Sequence, residues 1–297
     1  MYKLFTHNDL DGVACAVLAK LAYKYDIEIE YCGSPAEVTK RLNECNWKEY
    51  NQIFVTDCSF FPDKINQKKM FSNIKMFDHH PTAVEVFKDY TGYKVIKTEH
   101  ECGATLWHYY LVNKGLIEER PVFVELVRAY DTWDWALGND KMAYYLSNLV
   151  FSMGIKDFVI SFTEKLKHND INYLNIFDYK ERVILEYTEK QKSIRIKKAV
   201  NNAIRVLDKY AVTYSSVDPS MLGNVMCDEL KVDIAFVVNM ETNRIRARTN
   251  KDDVNVGELM KKLFNGGGHA KAGGAMITDC IVSPLVLIES RLKEWGN

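Results

Sequence analysis

The sequence predicts an α/β protein: an N-terminal domain on an open, mainly parallel sheet, joined by a long helical linker to a smaller α+β domain. Three observations predict this. Apolar runs at Met1–Thr6, Gln52–Thr56 and Asn73–Phe77 each end in acidic or imidazole residues, as strands do when their carboxyl ends carry a ligand site. The stretch from Asn169 to about Val206 is helical in composition and too long for an ordinary globular helix. From Lys209 short strand-like and helix-like runs alternate. The expected boundaries are 1–170, 171–207 for the linker and 208–297.

The first strand delivers His7, Asp9 and Asp11 in alternation, and Gly12 opens a helical run through Tyr25. On a helix, positions i and i+2 stand about 200° apart, so this spacing is expected of a loop that points all three inward. Imidazole with several carboxylates suits Mn, Fe, Zn or Mg ions, and carboxylates are able to bridge a pair. A plainer reading makes Asp11 the helix N-cap and His7 a surface residue. Ile27–Tyr31 reads as a strand, and Pro35 opens a short helix to about Asn43. Gln52–Thr56 then runs into Asp57, and Asn73–Phe77 into Asp78, His79, His80 and Pro81. Tyr93–Lys97 reads as an edge strand.

Beyond Gly103 the pattern turns amphipathic and helical. The second helix there delivers Asp131 within RAYDTWDW, with Asp134 close behind. Two more helices are expected over 138–152 and 154–168. In the C-terminal part KYAVTYSS (209–216) and IAFVVNM (234–240) read as strands around a helix opened by Asp218 and Pro219. Glu241, Thr242 and Asn243 turn the second strand into RIRART, a hairpin. VNVGELMKKLF is a helix that stops at Asn265 and three glycines, AMITDC a last strand, and a helix closes the chain.

At 297 residues the chain is long enough for a large core. Its formal net charge of -1 gives no support for tight, nonspecific binding to long nucleic acid. Six prolines argue against a disordered or repeat-rich chain. Cys15, Cys32, Cys45, Cys58, Cys102, Cys227 and Cys280 are scattered and odd in number, which excludes a complete intrachain disulfide framework. Neither a leader-like start nor an apolar run long enough for a membrane span is visible. The expected location is the cytoplasm.

Four segments thus offer the same chemistry: His7/Asp9/Asp11, Asp57, Asp78/His79/His80 and Asp131. Singly, each is also what a helix cap or a polar turn would show. Jointly, so many acidic endings on one sheet rim would repel strongly unless cations neutralise them. A two-metal centre resolves this, with ions about 3.5–4 Å apart bridged by a carboxylate. Asp57, from a central strand, is the candidate bridge.

With these residues assembled, the sequence resembles the DHH phosphoesterases that carry a second, DHHA1-type domain. The name-giving triplet stands at Asp78-His79-His80, the first motif at HNDLDG (7–12), and further aspartates at Asp57 and Asp131. The second domain's glycine motif matches GGGHAKAGG at 266–274. The resemblance implies one ion held by His7, Asp9 and Asp57, and another by Asp11, Asp57, His79 and Asp131. It implies a catalytic His80 beside the scissile phosphate. Adjacent side chains in an extended segment point apart, which agrees with one ligand and one substrate contact, and Asp78 would then fix a histidine tautomer. Family members usually run on Mn²⁺, some on Mg²⁺ or Co²⁺. Gly267, Gly268, His269 and Lys271 are expected around substrate, the glycines offering backbone N–H groups as a nest would. Arg248 matches a substrate-binding arginine of the family; Arg246 shares its strand face, and Arg244 is expected in solvent.

The family spans single-strand exonucleases, short-oligonucleotide ribonucleases, cyclic-dinucleotide hydrolases, bisphosphate phosphatases and pyrophosphatases. The modest length and the GGGH motif favour an exonuclease that degrades short single-stranded RNA to mononucleotides. The alternative is a hydrolase of linear or cyclic dinucleotides, or of adenosine 3′,5′-bisphosphate. A non-catalytic metal-binding protein would show broken motifs, and none of the matched positions is missing. Members of the family often form homodimers, and the sequence, with no membrane-spanning run, is expected to have no membrane partner. Trp133 and Trp135 beside Asp131 are expected to close a core rather than stack a base. The basic run KQKSIRIKK (190–198) is expected on a solvated helix face.

Overall fold

The computed structural model describes residues 1–88, 94–95, 100–138, 141–168, 171–277 and 284–295. Two units divide the chain, Met1–Glu186 and Tyr187–Asn297.

The first unit opens with strand β1 (Tyr2–Thr6), helix α1 (Leu10–Tyr23), β2 (Ile27–Tyr31), α2 (Pro35–Glu44), β3 (Gln52–Thr56) and β4 (Ile74–Asp78). Helix α3 (Pro81–Phe87) and a two-residue edge strand β5 (Lys94–Val95) follow; the rest of the expected edge strand lies outside the described residues. The five strands are ordered β2-β1-β3-β4-β5 and all pair in parallel. Alternation with period two sends successive side chains to opposite faces. Leu4, Phe54 and Phe77 enter one core cluster, and Phe5, Ile53, Val55 and Met76 another. Helix α2 covers the second face with Val38 and Leu42.

The first face is covered by α1 and by helices α4 (Gly103–Asn113), α5 (Pro121–Asp131), α6 (Asp134–Leu137), α7 (Lys141–Met153) and α8 (Ile155–Lys165). Trp107 stands at its centre against Phe54 and Phe77, with ring centroids 4.8 and 5.2 Å away. Each such fully buried ring contributes about 1.5–3 kcal/mol by leaving water.

The long helical stretch is shorter than expected: α9 covers Tyr179–Asn201 only. Before it, Asn175 Oδ1 accepts from the Asn172 amide at 2.7 Å and Asn172 Oδ1 from the Leu174 amide at 2.9 Å. Such side-chain-to-backbone bonds compete with helix. Asp178 and Glu181 then form a reciprocal capping box, at 3.0 and 2.8 Å, that starts the helix. Leu185 of α9 belongs to the first core, whereas Ile196, Ala199 and Val200 belong to a core of the second unit.

The second unit continues with β6 (Ile204–Val206), β7 (Tyr210–Tyr214), α10 (Pro219–Leu230), β8 (Ile234–Asn239), β9 (Arg244–Arg248) and α11 (Val256–Phe264). It ends with β10 (Gly267–His269), β11 (Ala272–Met276) and α12 (Pro284–Trp295). Its six strands are ordered β10-β11-β9-β8-β7-β6, with β7 and β8 parallel and the other pairs antiparallel. Helix α10 packs on one face, through Leu222 and Met226, and α11 on the other, through Leu259 and Met260. Among the described residues, no helix is long and apolar enough to cross a membrane.

Candidate metal centre

Strands β1, β3 and β4 are neighbours whose carboxyl ends lie in register, Thr6 with Thr56 and Thr56 with Phe77. His7, Asp57 and the Asp78 triplet therefore leave the sheet at one edge. Thr56 Oγ1 donates to Thr6 Oγ1 at 2.8 Å, and Thr6 Oγ1 donates to the Gly12 carbonyl at 2.9 Å, which ties the two strand ends to α1. Asp57 itself adopts a left-handed backbone, φ 51°, a costly conformation of the kind that gathers at functional sites.

Three overlapping groups of side chains bring ligand atoms within 4.8 Å of one another: His7/Asp9/Asp57, Asp11/His79/Asp131 and Asp57/His79/His80. His7 Nδ1 lies 2.7 Å from Asp9 Oδ2 and 3.9 Å from Asp57 Oδ2. His79 Nε2 lies 3.4 Å from Asp131 Oδ2, 3.6 Å from Asp57 Oδ1 and 3.9 Å from Asp11 Oδ2. Yet His7 Nδ1, His79 Nε2 and Asp57 Oδ2 are buried without an aligned hydrogen bond. Orphaned buried polar atoms that converge in this way are what a cation satisfies. The donor set, imidazole nitrogens with carboxylate oxygens, fits divalent metals of the Mn or Mg type.

Two local expectations need correction. Helix α1 begins at Leu10, so Asp9 is its N-cap, accepting from the Gly12 amide at 3.2 Å, and Asp11 sits in the first helical turn. His7 and Asp9 lie on the short connection between β1 and α1, as a loop would place them, whereas Asp11 joins the cluster from the helix itself. His79 and His80 also do not diverge; their ring centroids are 4.6 Å apart. Asp78 Oδ1 accepts from both their amides, at 2.8 and 3.2 Å, and ties the two residues together. The same oxygen lies 2.7 Å from His80 Nδ1, which holds the proton there and leaves Nε2 for another partner. Asp131 is the last residue of α5, and Asp134 turns away to pair with Arg128 at 2.6 Å.

Sequence reasoning missed the support for Asp11. The Gly103 and Ala104 amides at the start of α4 donate to its two oxygens at 2.6 and 2.7 Å, a carboxylate held on a helix N-terminus. A Cβ at Gly103 would stand 2.6 Å from Asp57 Cβ and 2.8 Å from its Cα, so only glycine lets α4 approach β3 this closely. The glycine before a helical run was the only signal.

The electrostatics are those of a crowded anionic site. Burial, then the charges of Asp11 and Asp9, push the Asp57 carboxyl well above the usual range. The same causes raise Asp131 to about 7. Contact with Asp9 raises His7, and Asp9 is held low by His7 although burial opposes it. Burial lowers His79, whereas the hydrogen bond to Asp78 raises His80.

In the second unit the glycine motif is a hairpin rather than a nest. Gly267 pairs with Gly274, Gly268 with Gly273 and His269 with Ala272. Gly268, at φ 145°, lies where a Cβ would meet the Ala272 carbonyl at 2.2 Å, while a Cβ at Gly267 would find open space. Arg246 and Arg248 share a face of β9, and exposed Arg244 precedes them. Arg248 Nη2 donates to Ser220 Oγ at 2.6 Å. Lys271 is bound to Asp252 and to the Lys251 carbonyl, each at 2.7 Å, and His269 is exposed. Within the basic run, Lys192 pairs with Asp218 at 2.6 Å and Ile196 is buried. Ser220 carried no motif that singled it out, and Lys192 stood out only as one member of the basic run.

A sheet edge that gathers imidazoles and carboxylates around orphaned buried atoms defines a class, the metal-assisted hydrolases. Comparison with known proteins narrows it. Residues 207–294 match the DHHA1 domain. The chain is 30% identical to the oligoribonuclease NrnB of Bacillus subtilis, over 94% of this chain and 73% of that protein. A pGpG-specific phosphodiesterase from Vibrio cholerae, PggH, shares the fold with TM-score 0.61 at 16% identity, covering 99% of this chain and 98% of that one. RecJ from Thermus thermophilus, solved with Mn²⁺, gives TM-score 0.58 at 12% identity over 99% of this chain and 52% of its own. The chain belongs to the DHH phosphoesterase family and is a hydrolase of phosphoesters.

Proposed function

We propose that this enzyme hydrolyses phosphodiester bonds of short single-stranded RNA and releases mononucleotides, using two divalent cations, Mn²⁺ foremost. The observation that carries the reading is the set of three overlapping ligand groups on one sheet edge, with Asp57 common to two of them. Kinship with an oligoribonuclease over nearly the whole chain supports the substrate class. One ion would rest on His7, Asp9 and Asp57, the other on Asp11, Asp57, His79 and Asp131. Bound there, divalent ions supply Lewis acidity toward a water and toward the phosphoryl oxygens.

The protein's own groups do the remaining work. Asp57 is shared, so its buried carboxylate holds both halves of the site in register. Asp11, gripped by two helix amides, is fixed in place before any ligand arrives. Asp78 keeps the proton of His80 on Nδ1 or, when the ring is protonated, balances its charge. His80 then presents Nε2 to the phosphate or to the leaving oxygen. In the second unit Arg248 and Arg246, with Gly267, Gly268, His269 and Lys271, would contact substrate; Lys271 would first have to leave Asp252.

A second reading, hydrolysis of linear dinucleotides, draws on the full-length likeness to a pGpG-specific enzyme. A time course with Mn²⁺ on RNAs graded from dinucleotide to long oligomer, with cyclic diadenylate and adenosine 3′,5′-bisphosphate alongside, separates the two. Stepwise mononucleotide release from oligomers up to the pentamer is the expected result. Rapid cleavage confined to the dinucleotide, or action on the bisphosphate alone, contradicts it. Homodimer formation, read by sedimentation, and operation in the cytoplasm belong to the same proposal.

A further inference from the structure

The expectation that both tryptophans beside Asp131 close a core holds for only one of them. Trp135 is half-buried and packs against the first core. Trp133 is 60% exposed. An isolated exposed ring would be ordinary, but this one ends an ordered stack. Its centroid lies 5.8 Å from that of Trp135, with the planes 24° apart. Trp135 in turn stacks on Tyr130 at 6.0 Å and on Tyr144 at 5.1 Å.

The backbone is set to hold that ring out. Trp133 adopts a left-handed conformation, φ 65° and ψ 7°, which a residue with a bulky side chain adopts at a cost. Arg128 braces the turn on both sides. It donates from Nη1 to Asp134 Oδ2 at 2.6 Å and to Thr132 Oγ1 at 3.4 Å. Its Nε and Nη2 are fixed by Glu125 at 2.8 and 2.6 Å. Thr132 Oγ1 donates to the Arg128 carbonyl at 2.9 Å. A turn so secured, spent on exposing an indole, calls for a ligand.

Its position says which ligand. Trp133 is two residues beyond Asp131, whose Oδ2 lies 3.4 Å from His79 Nε2 in the ligand cluster. Two residues of chain span at most about 7 Å. An exposed π-surface carried on backbone this close to a phosphodiester site is matched to what a ribose carries next to its phosphate. We propose that Trp133 is a stacking platform for a nucleobase of the substrate, with Trp135, Tyr130 and Tyr144 as its rigid backing. Stacking is indifferent to base identity because every base offers a π-face, so the platform fits an enzyme that degrades mixed sequences. This inference rests on the functional reading above and adds to it the place where a base is held.

The test uses the full-length enzyme with Mn²⁺ and a dinucleotide, together with the two dinucleotides made abasic at one sugar each. Trp133→Ala should raise KM for the complete dinucleotide about 10-fold, the usual scale for losing one base–aromatic stack. Trp133→Phe should restore most of that loss. On the substrate that lacks the stacked base, wild type and variant should coincide. Equal performance of Trp133→Ala and wild type on the complete dinucleotide overturns the platform, as does an equal loss on both abasic substrates. Quenching of tryptophan fluorescence by an added mononucleotide reads the contact without turnover. It should be present in the wild type and largely gone in Trp133→Phe; quenching absent from the wild type, or unchanged in the variant, overturns the platform. A wild type that quenches but cleaves no ribonucleotide overturns the functional reading instead, and the stacking contact stands.

Discussion

Asp78 is fully buried, and a single oxygen, Oδ1, faces the His79 amide, the His80 amide and His80 Nδ1. It thus sets both the placement of the histidine pair and the tautomer of His80. Asparagine at this place still accepts hydrogen bonds but no longer balances an imidazolium. Asp78→Asn is therefore expected to lower kcat about 10–100-fold, the usual scale for a partner behind a ligand or acid–base group. Mn²⁺ affinity, titrated calorimetrically, should stay close to wild type; a loss of ions as large as the loss of rate would make Asp78 part of the ion site itself. Asp57 presents the complementary case. Its carboxyl is pushed well above the usual range by burial and by Asp11 and Asp9, so its ionised form needs the positive charge that ions bring.

At the scale of elements, most of the site was legible because strand ends advertise themselves. Largely apolar runs stop at Asp57 and at Asp78, and parallel pairing makes their stops coincide. The ordered motif set 7–12, 57, 78–80 and 131 located every member of the three ligand groups. The role of α4 was not legible, since its amides reach Asp11 from 92 and 93 positions along the chain, and no local pattern encodes a tertiary contact. The long helix was overextended for the opposite reason: the asparagine turns before Asp178 act locally, against a composition that reads as helical. The glycine hairpin was misread as a nest because three glycines alone do not distinguish a strand pair from a loop. The approach of α4 to β3 yields a direct check. Gly103→Ala would place a methyl group 2.8 Å from Asp57 Cα and should destabilise the fold by about 1–3 kcal/mol, as overpacking does. Denaturant unfolding measures it, with Mn²⁺ titration alongside. Wild-type stability and affinity together would mean that the close approach is dispensable.

Over the whole molecule, one arrangement organises the first unit: a five-stranded parallel sheet with helices on both faces and its acidic residues at the strands' carboxyl ends. Such a sheet exposes its ligand site at that edge by construction. Without cations the edge carries a standing electrostatic cost, visible in an Asp131 carboxyl raised to about 7 by burial and by Asp11 and Asp9. The proposal that a pair of divalent ions shares Asp57 draws its support from the ligand groups and the orphaned buried atoms. The most direct measurement is an anomalous difference map from crystals grown with Mn²⁺. The account predicts two peaks about 3.5–4 Å apart, one beside His7 and Asp9, the other beside Asp11, His79 and Asp131, with Asp57 between them. A single peak, or two peaks that do not share Asp57, would contradict it.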